Sequence, residues 1–258
     1  MQSATINGQT FTYHKSGAGK YAVILETGLG AESDEWGSVE QLLTGSVRVF
    51  RYDRLGRGGS GAAKDARATD DMVADLRELL TVTQTVGPYV IVGHSFGGFI
   101  ARAFAASFPL DTVGMVLIES IHRTQFLAIG PLFPAPRADD PPALQSMRAF
   151  WQDGWRDPEK TAERIDFERC FRVEASLATL DAMPVLVITS DSFLMLPFIP
   201  SAIKGKMQEQ WRTLQNDFLS LSSRSSQIIA RGAGHFVQRD DPDLIGDCVL
   251  SLIRTHTL

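Results

Sequence analysis

Cysteine is scarce in this sequence, since Cys170 and Cys248 are the only two among 258 residues. Two cysteines so far apart do not make the disulfide framework of a small secreted domain, and they favour free, buried thiols in a reducing cytoplasm. No cysteines and histidines are spaced like the ligands of a metal ion. We therefore expect a cytoplasmic protein without a bound metal.

Clusters of basic residues and long apolar runs are also missing. The formal net charge is −5, and Lys and Arg form no extended cluster. The sequence therefore lacks the basic patch that is typical of a nucleic-acid-binding protein. No apolar run approaches the ~18 residues of a membrane-spanning helix. The first residues lack the basic and apolar regions of a secretory signal peptide. The sequence thus predicts neither a nucleic-acid partner nor a membrane span.

What the sequence does contain is an alternation of strand-like and helix-like segments. Apolar runs of strand length lie at residues 21–26, 47–52, 89–93, 112–119, 183–191 and 226–230. Segments of helical length lie at 69–87, 96–107, 205–221 and 241–255, and Asn7-Gly8 marks a hairpin near the N-terminus. This alternation predicts an α/β fold with a mostly parallel, doubly wound sheet.

One connection between strands is much longer than the others. Residues 121–182 begin with a proline-rich stretch and continue as helix-like sequence that is rich in aromatic residues. This segment is too long for a loop in a compact domain. We predict a helical cap over the strand ends, inserted into a core domain that residues 1–120 and 183–258 form.

Ser95 lies between glycines in the stretch VGHSFGG. The pentapeptide Gly93-His94-Ser95-Phe96-Gly97 follows an apolar strand and precedes a helix, which is the context of a nucleophile turn. The alternative is a structural turn whose glycines only permit tight packing. Because the N-terminus of the helix offers backbone N–H groups to an oxyanion, we favour Ser95 as a nucleophile.

A nucleophilic serine needs a base, and the sequence offers five histidines: His14, His94, His122, His235 and His256. His235 lies in a glycine-rich loop between the last predicted strand and the last helix, which brings its imidazole to the same end of the sheet as Ser95. We expect His94 to be packed and hydrogen-bonded beside the turn. His14 and His256 are expected at the surface.

The third member of such a triad is a carboxylate that orients the imidazole. Glu119 and Asp191 both lie at the ends of predicted strands, and either one preserves the chain order of serine, acid and histidine. Each could instead be a solvated strand-end residue or a helix cap.

An oxyanion hole needs two N–H donors. Phe96 supplies one amide, and the loop after the third strand, LETGLGAESDEW, supplies the other. Its glycines free the backbone to turn inward, which makes the amide of Leu29 the expected second donor. The stretch RYDRLGRGGSG suggests a phosphate loop, but it lacks the lysine–serine ending of one, so we interpret it as a turn-rich connection.

Together these segments resemble those of the α/β-hydrolase superfamily along nearly the whole chain. RYDRLGRGGS is similar to the D-R-x-G-x-G-x-S loop of that family, VGHSFGG to its G-H-S-x-G-G turn, and GAGHF to its histidine loop. The resemblance implies an α/β-hydrolase fold, a triad of Ser95, His235 and an acid, and an ester-hydrolase-like activity that needs no cofactor.

Two departures from the common pattern concern the site. Most relatives carry His-Gly in the oxyanion loop, where this chain has Thr27-Gly28, so only a backbone donor is retained. The commoner arrangement puts the acid a few residues beyond the seventh core strand, where this chain has Phe193. A subgroup with ETGLG-like loops carries an acid followed by S-x-H after the sixth strand. IESIH matches that pattern, and we therefore favour Glu119 over Asp191.

The sequence thus predicts a serine hydrolase that cleaves a carboxylic ester, lactone or thioester of a small apolar substrate. We expect the substrate to contact Trp151, Trp155, Phe193 and Phe236. Two other hypotheses stay open. The same fold can carry a cofactor-free oxygenase or a perhydrolase-like enzyme in which the serine is dispensable, and it can serve as a non-catalytic ligand receptor.

Overall fold

Eight strands form one sheet in the computed structural model, which describes residues 1–256 except for the side chain of His256. The strands are β1 (Gln2–Ile6), β2 (Gln9–Gly17), β3 (Ala22–Glu26), β4 (Arg48–Tyr52), β5 (Tyr89–His94), β6 (Thr112–Ile118), β7 (Val185–Ser190) and β8 (Ser225–Ala230). The expected surface position of the His256 side chain lies outside the described residues.

The sheet is mostly parallel, as the alternation of segments predicts. Its strand order is β1-β2-β4-β3-β5-β6-β7-β8. The pairs β1–β2 and β2–β4 are antiparallel, and the pairs from β4–β3 to β7–β8 are parallel. Asn7 and Gly8 join the first hairpin with positive φ angles, which is the backbone that a two-residue turn of this kind requires.

Helices cover both faces of the sheet. They are α1 (Gly37–Leu43), α2 (Thr69–Val82), α3 (Gly97–Ser107), α4 (Gln125–Ile129), α5 (Pro142–Gln152), α6 (Phe167–Ser176), α7 (Ser192–Met195), α8 (Ser201–Asp217), α9 (Val237–Asp240) and α10 (Pro242–His256). Side chains alternate along β3, so that Val23 and Leu25 pack with α1 and α10 whereas Ala22 and Ile24 pack with α2 and α3. The doubly wound arrangement of the sheet follows from this alternation.

Helix α2 is shorter than the sequence predicts. It ends at Val82 rather than at residue 87, because Gln84 has a φ of 53° that a right-handed helix cannot contain. Its N-cap is Ala68, and the carboxylate of Asp71 accepts the backbone N–H of Ala68. An acid at the third helical position therefore satisfies the start of the helix in place of a capping hydroxyl.

Residues 121–182 carry the helices α4, α5 and α6 and lie between β6 and β7. We call them the cap segment. Its aromatic side chains pack against the end of α3, and its backbone is bonded to the loop after β4, where Arg67 pairs with Ile165. The boundaries of the core domain and the cap stay a prediction.

Candidate active site

Ser95 lies on a strained turn between β5 and α3. Its φ is 50°, which is uncommon for a residue with a side chain and is found where function fixes the backbone. The neighbouring glycines are required by space. A Cβ atom on Gly93 would lie 2.5 Å from the carbonyl oxygen of Gly97, and one on Gly97 would lie 2.6 Å from that of Glu26. The turn can therefore form only where both positions lack a side chain.

His235 lies in the loop between β8 and α9, and about one third of its side chain is exposed. Its backbone carbonyl oxygen accepts a hydrogen bond of 2.9 Å from Nε2 of His94, which is buried beside the turn. Burial lowers the pKa of His94 by more than its contact with Glu35 raises it. Because a carbonyl oxygen can only accept, Nε2 of His94 carries a proton. His94 thus stabilises the loop that carries His235 through this hydrogen bond.

Glu119 follows β6 and is completely buried. Its Oε2 atom lies 3.5 Å from Nδ1 of His235 and accepts a hydrogen bond of 2.9 Å from Nε1 of Trp211. Its Oε1 atom accepts the backbone N–H of Ser190 at 2.6 Å. Burial raises the pKa of this carboxyl, but the contacts with His235, Ser192 and Ser190 lower it by more. Glu119 is therefore held as a carboxylate against the imidazole.

Asp191 follows β7, the neighbouring strand, but it has other partners. Its Oδ1 atom bonds to Nη2 of Arg212 at 2.5 Å, and its Oδ2 atom accepts the backbone N–H of Gly232 at 2.9 Å. No contact joins it to His235 among the residues that the structure describes. Asp191 orders the turn that precedes the histidine loop, whereas Glu119 contacts the imidazole itself.

Leu29 and Phe96 both line the cavity that contains Ser95. Neither amide donates a hydrogen bond to another group within residues 1–256. The loop of Leu29 also approaches the turn closely, because a Cβ atom on Gly28 would lie 3.4 Å from Cβ of Ser95. Two unpaired N–H groups beside a serine hydroxyl are the elements of an oxyanion hole.

Ser95 and His235 face one cavity of about 410 Å³. The hydroxyl of Ser95 makes no hydrogen bond to the imidazole of His235 in the described chain. Among the described residues, those that line the cavity include no acidic or basic side chain other than histidine. Aromatic and aliphatic side chains form most of the walls: Leu29, Phe96, Ile121, Phe126, Met147, Phe150, Trp151, Phe167, Phe193, Leu196, Phe198, Trp211 and Phe236.

Three of the four residues expected to contact substrate line this cavity: Trp151, Phe193 and Phe236. Trp155 does not. It lies behind the wall, where its ring stacks on Phe126 with centroids 5.0 Å apart. The physical reason is that α5 ends at Gln152, so the chain turns between the two tryptophans and directs them to different places.

Sequence reasoning missed three buried residues that support the site. Trp211 donates to the carboxylate of Glu119, and Arg54 and Glu163 form an ion pair beside the oxyanion loop. Arg54 belongs to the DRLGRGGS stretch, which signalled only a turn-rich loop. Trp211 and Glu163 lie in helix-like and loop-like sequence with no motif, so no local signal could have identified them.

Among the described residues, no group of three or more His, Cys, Asp or Glu side chains is arranged to hold a metal ion. None of the helices within residues 1–256 is long and apolar enough to cross a membrane.

Comparison with known proteins agrees with the α/β fold of the chain. The sequence profile of the alpha/beta hydrolase family matches residues 23–247. YqjL, a protein of Bacillus subtilis, is 26% identical over 243 residues, which are 93% of this chain and 87% of YqjL. A thermophilic esterase from Thermogutta terrifontis, solved with malate bound, superposes with a TM-score of 0.65 at 17% identity over 99% of both chains. Cfl2 from Burkholderia cenocepacia gives a TM-score of 0.67 at 17% identity, over 97% of this chain and 94% of Cfl2. At these identities the solved structures show the fold alone.

Proposed function

This chain belongs to the alpha/beta hydrolase family, and from that premise we propose that it hydrolyses carboxylic esters through an acyl-enzyme on Ser95. The observation that carries the proposal is the contact of 3.5 Å between the buried carboxylate of Glu119 and Nδ1 of His235, beside the cavity that Ser95 lines. This is the arrangement in which an acid orients an imidazole so that its other nitrogen can act as a base.

The proposed reaction begins when Oγ of Ser95 forms a bond to the carbonyl carbon of the ester. The hydroxyl proton passes to Nε2 of His235, and the electron pair of the C=O double bond moves to its oxygen. The amides of Leu29 and Phe96 stabilise that oxyanion. Collapse breaks the bond to the alcohol, which leaves with the proton from His235. Water then repeats the same steps on the acyl-enzyme and releases the acid.

The cavity indicates the class of substrate. Its walls have no ionic partner for a charged acyl group, and they are built mainly from aromatic rings. We propose that the enzyme prefers neutral esters whose acyl part is an aliphatic chain or an aromatic ring, because burying such groups is favourable and burying an unpaired charge is costly. The same walls accept lactones or thioesters of similar polarity.

Replacement of Ser95 tests this proposal. Ser95→Ala and His235→Ala should each lower the turnover of p-nitrophenyl butyrate by at least ~10³-fold, because the triad acts as a unit. A fluorophosphonate probe should label the wild-type protein and not Ser95→Ala. His122→Ala is the matched control, since His122 is partly buried in the same region but does not line the cavity. Retention of most activity by Ser95→Ala would favour an enzyme that uses only the histidine–acid pair.

A further inference from the structure

The ion pair between Arg54 and Glu163 joins the cap segment to the loop that carries the proposed oxyanion donor. Arg54 lies just after β4, and Glu163 lies between the cap helices α5 and α6. Their side chains are only 3% and 1% exposed, and Nε of Arg54 bonds to Oε2 of Glu163 at 2.6 Å. A second bond of 3.2 Å runs from Nη2 to Oε1. The pair is thus bidentate, which fixes the plane of the guanidinium as well as its position.

The remaining N–H groups of Arg54 bond to the oxyanion loop. Nη2 donates to the carbonyl oxygen of Gly28 at 2.7 Å, and Nη1 donates to the carbonyl oxygen and the hydroxyl of Thr27 at 2.9 and 3.0 Å. Nη1 also lies 3.3 Å from Oε2 of Glu26. Glu163 bonds to the same loop directly, because its Oε1 atom accepts the backbone N–H of Gly30 at 2.7 Å. Four positions at the end of β3 and in the loop after it, Glu26, Thr27, Gly28 and Gly30, are therefore tied to this pair, and Leu29 lies between the last two.

The direction of the N–H of Leu29 follows from these bonds, together with a longer one of 3.3 Å from the backbone N–H of Ala31 to the carbonyl oxygen of Gly28. The carbonyl of Gly28 and the N–H of Leu29 belong to one peptide plane, and in a trans peptide the two groups point in opposite directions. Because Arg54 holds the carbonyl on one side of the loop, the N–H must point to the other side, where Leu29 borders the cavity with Ser95. Rotation of this plane would turn a carbonyl oxygen toward the oxyanion and replace a donor with a repulsive acceptor.

We propose that Glu163 is a positioning residue for hydrolysis: through Arg54 and Gly30 it holds the Gly28–Leu29 peptide with its N–H toward the oxyanion, so that catalysis requires the cap segment to be seated. This inference rests on the proposed function, since it concerns the oxyanion that forms on an ester bound to Ser95. It assigns to the cap a part in the chemical step, in addition to the selection of substrate.

The test compares two ion pairs that each join a carboxylate of the cap to a buried arginine of the core. Oε1 of Glu174 on α6 lies 2.7 Å from Nε of Arg102 on α3, with side chains 13% and 1% exposed, so Glu174→Gln also leaves a buried arginine without its carboxylate. Neither Glu174 nor Arg102 borders the cavity or the oxyanion loop. Glu163→Gln and Glu174→Gln are therefore the same chemical change beside a buried arginine, and only Glu163 is in contact with the loop.

Three measurements are made on both variants and on the wild-type protein: kcat and KM for p-nitrophenyl butyrate, the inhibition constant of an alkyl trifluoromethyl ketone, and the melting temperature. Oγ of Ser95 forms a bond to the carbonyl carbon of the ketone and loses its proton to His235, and the electron pair of the C=O double bond moves to the oxygen, which then lies in the hole as an oxyanion. Glu163→Gln should lower kcat by ~10- to 100-fold with little change in KM, and it should weaken binding of the ketone by a similar factor. Glu174→Gln should change kcat and the inhibition constant by less than about threefold, even where it lowers the melting temperature.

The inference is overturned if Glu163→Gln melts at a lower temperature but keeps kcat and the affinity for the ketone within about threefold of the wild-type values. If Glu163→Gln does not fold, the pair Glu163→Asp and Glu174→Asp replaces the two glutamine variants. Each aspartate keeps the charge and shortens the side chain by one methylene group. Equal kcat values in that second pair would also overturn it. Failure of the proposed function looks different: the wild-type protein itself would not bind the ketone, or Ser95→Ala would bind it equally well, and the inference would fall with it.

Discussion

The two walls of the cavity are built in opposite ways. On the core side, the groups proposed for catalysis follow strands of the sheet and are fixed by polar contacts, such as those of Glu119 with Ser190 and Trp211. On the cap side, rings pack edge-to-face, with Phe126 lying 5.3 Å from both Trp151 and Phe167 between centroids. Hydrogen bonds depend on direction over short distances, whereas contacts between rings tolerate small shifts. The core wall is thus suited to chemistry and the cap wall to variation in substrate.

The largest effect should come from the two carboxylates at neighbouring strand ends. Both oxygens of the Glu119 carboxylate face N–H donors: Oε1 faces the backbone N–H of Ser190, and Oε2 faces Nε1 of Trp211 and Nδ1 of His235. In Glu119→Gln the new NH₂ group must face one of these donors, and the imidazole is pushed toward the wrong tautomer. We expect kcat/KM to fall by ~10³- to 10⁴-fold with the fold retained. Turnover of p-nitrophenyl butyrate and circular dichroism check this.

Asp191→Asn is the matched control for that change. Its carboxylate bonds to Arg212 and to the backbone N–H of Gly232, and one of these bonds survives in the amide. We expect a loss below ~10-fold, because the imidazole keeps its partner. The opposite ranking of the two variants would make Asp191 the acid and leave Glu119 a buried structural carboxylate.

A smaller effect should come from the carboxyl group of Glu26, which is buried below the core wall. Burial raises the pKa of Glu26 to about 7, although Arg54 lowers it in part. An unfolded chain ionises this carboxyl near 4.5. The free energy of unfolding therefore falls by up to about 3 kcal/mol as the pH rises from 4.5 through 7. Glu26→Gln removes this loss. The unfolding free energy of the variant minus that of the wild type should therefore rise by about 2–3 kcal/mol from pH 5 to pH 8.

Asp53→Asn controls for the loss of a buried carboxylate of the opposite kind. Burial raises the pKa of Asp53, but bonds from Ser33, Thr12 and Gly59 lower it by more. Its contribution to stability is present above its unfolded pKa and is lost only as the pH falls, so its difference from the wild type should stay constant between pH 5 and pH 8. A pH-independent difference for Glu26→Gln, measured by urea unfolding, would contradict the assignment of a raised pKa.

The smallest effect separates the two tryptophans of the cap segment. Trp151 borders the cavity, so Trp151→Leu should raise the preference for octanoate over butanoate esters by ~10-fold in kcat/KM. Trp155 stacks behind the wall, so Trp155→Leu should lower the melting temperature and leave that preference within about twofold of the wild-type value. A shift in chain-length preference from Trp155→Leu that equals the shift from Trp151→Leu would show that the wall is not the boundary of substrate contact.

The sequence predicted the parts of this molecule that local patterns determine. Apolar runs located the parallel strands, and the glycines around Ser95 identified the turn because no other residue fits there. The cap wall could not be predicted in the same way. Trp151 and Trp155 are alike in local sequence, and only the end of α5 at Gln152 separates them. Arg54 and Glu163 are 109 residues apart, and a pairing over that distance leaves no local pattern.

The distances along the chain between partners in the site also bear on how the protein is made. Glu119 meets Trp211 across 92 residues, Gly30 meets Glu163 across 133, and His94 meets the backbone of His235 across 141. Contacts between remote segments form late, since long loops must close before they bring any gain. Under the proposed mechanism, a growing chain on the ribosome therefore carries an inert Ser95 until the loop after β8 has emerged and docked. Products truncated before His235 should be inactive in ester hydrolysis, so that synthesis itself delays the appearance of the proposed activity.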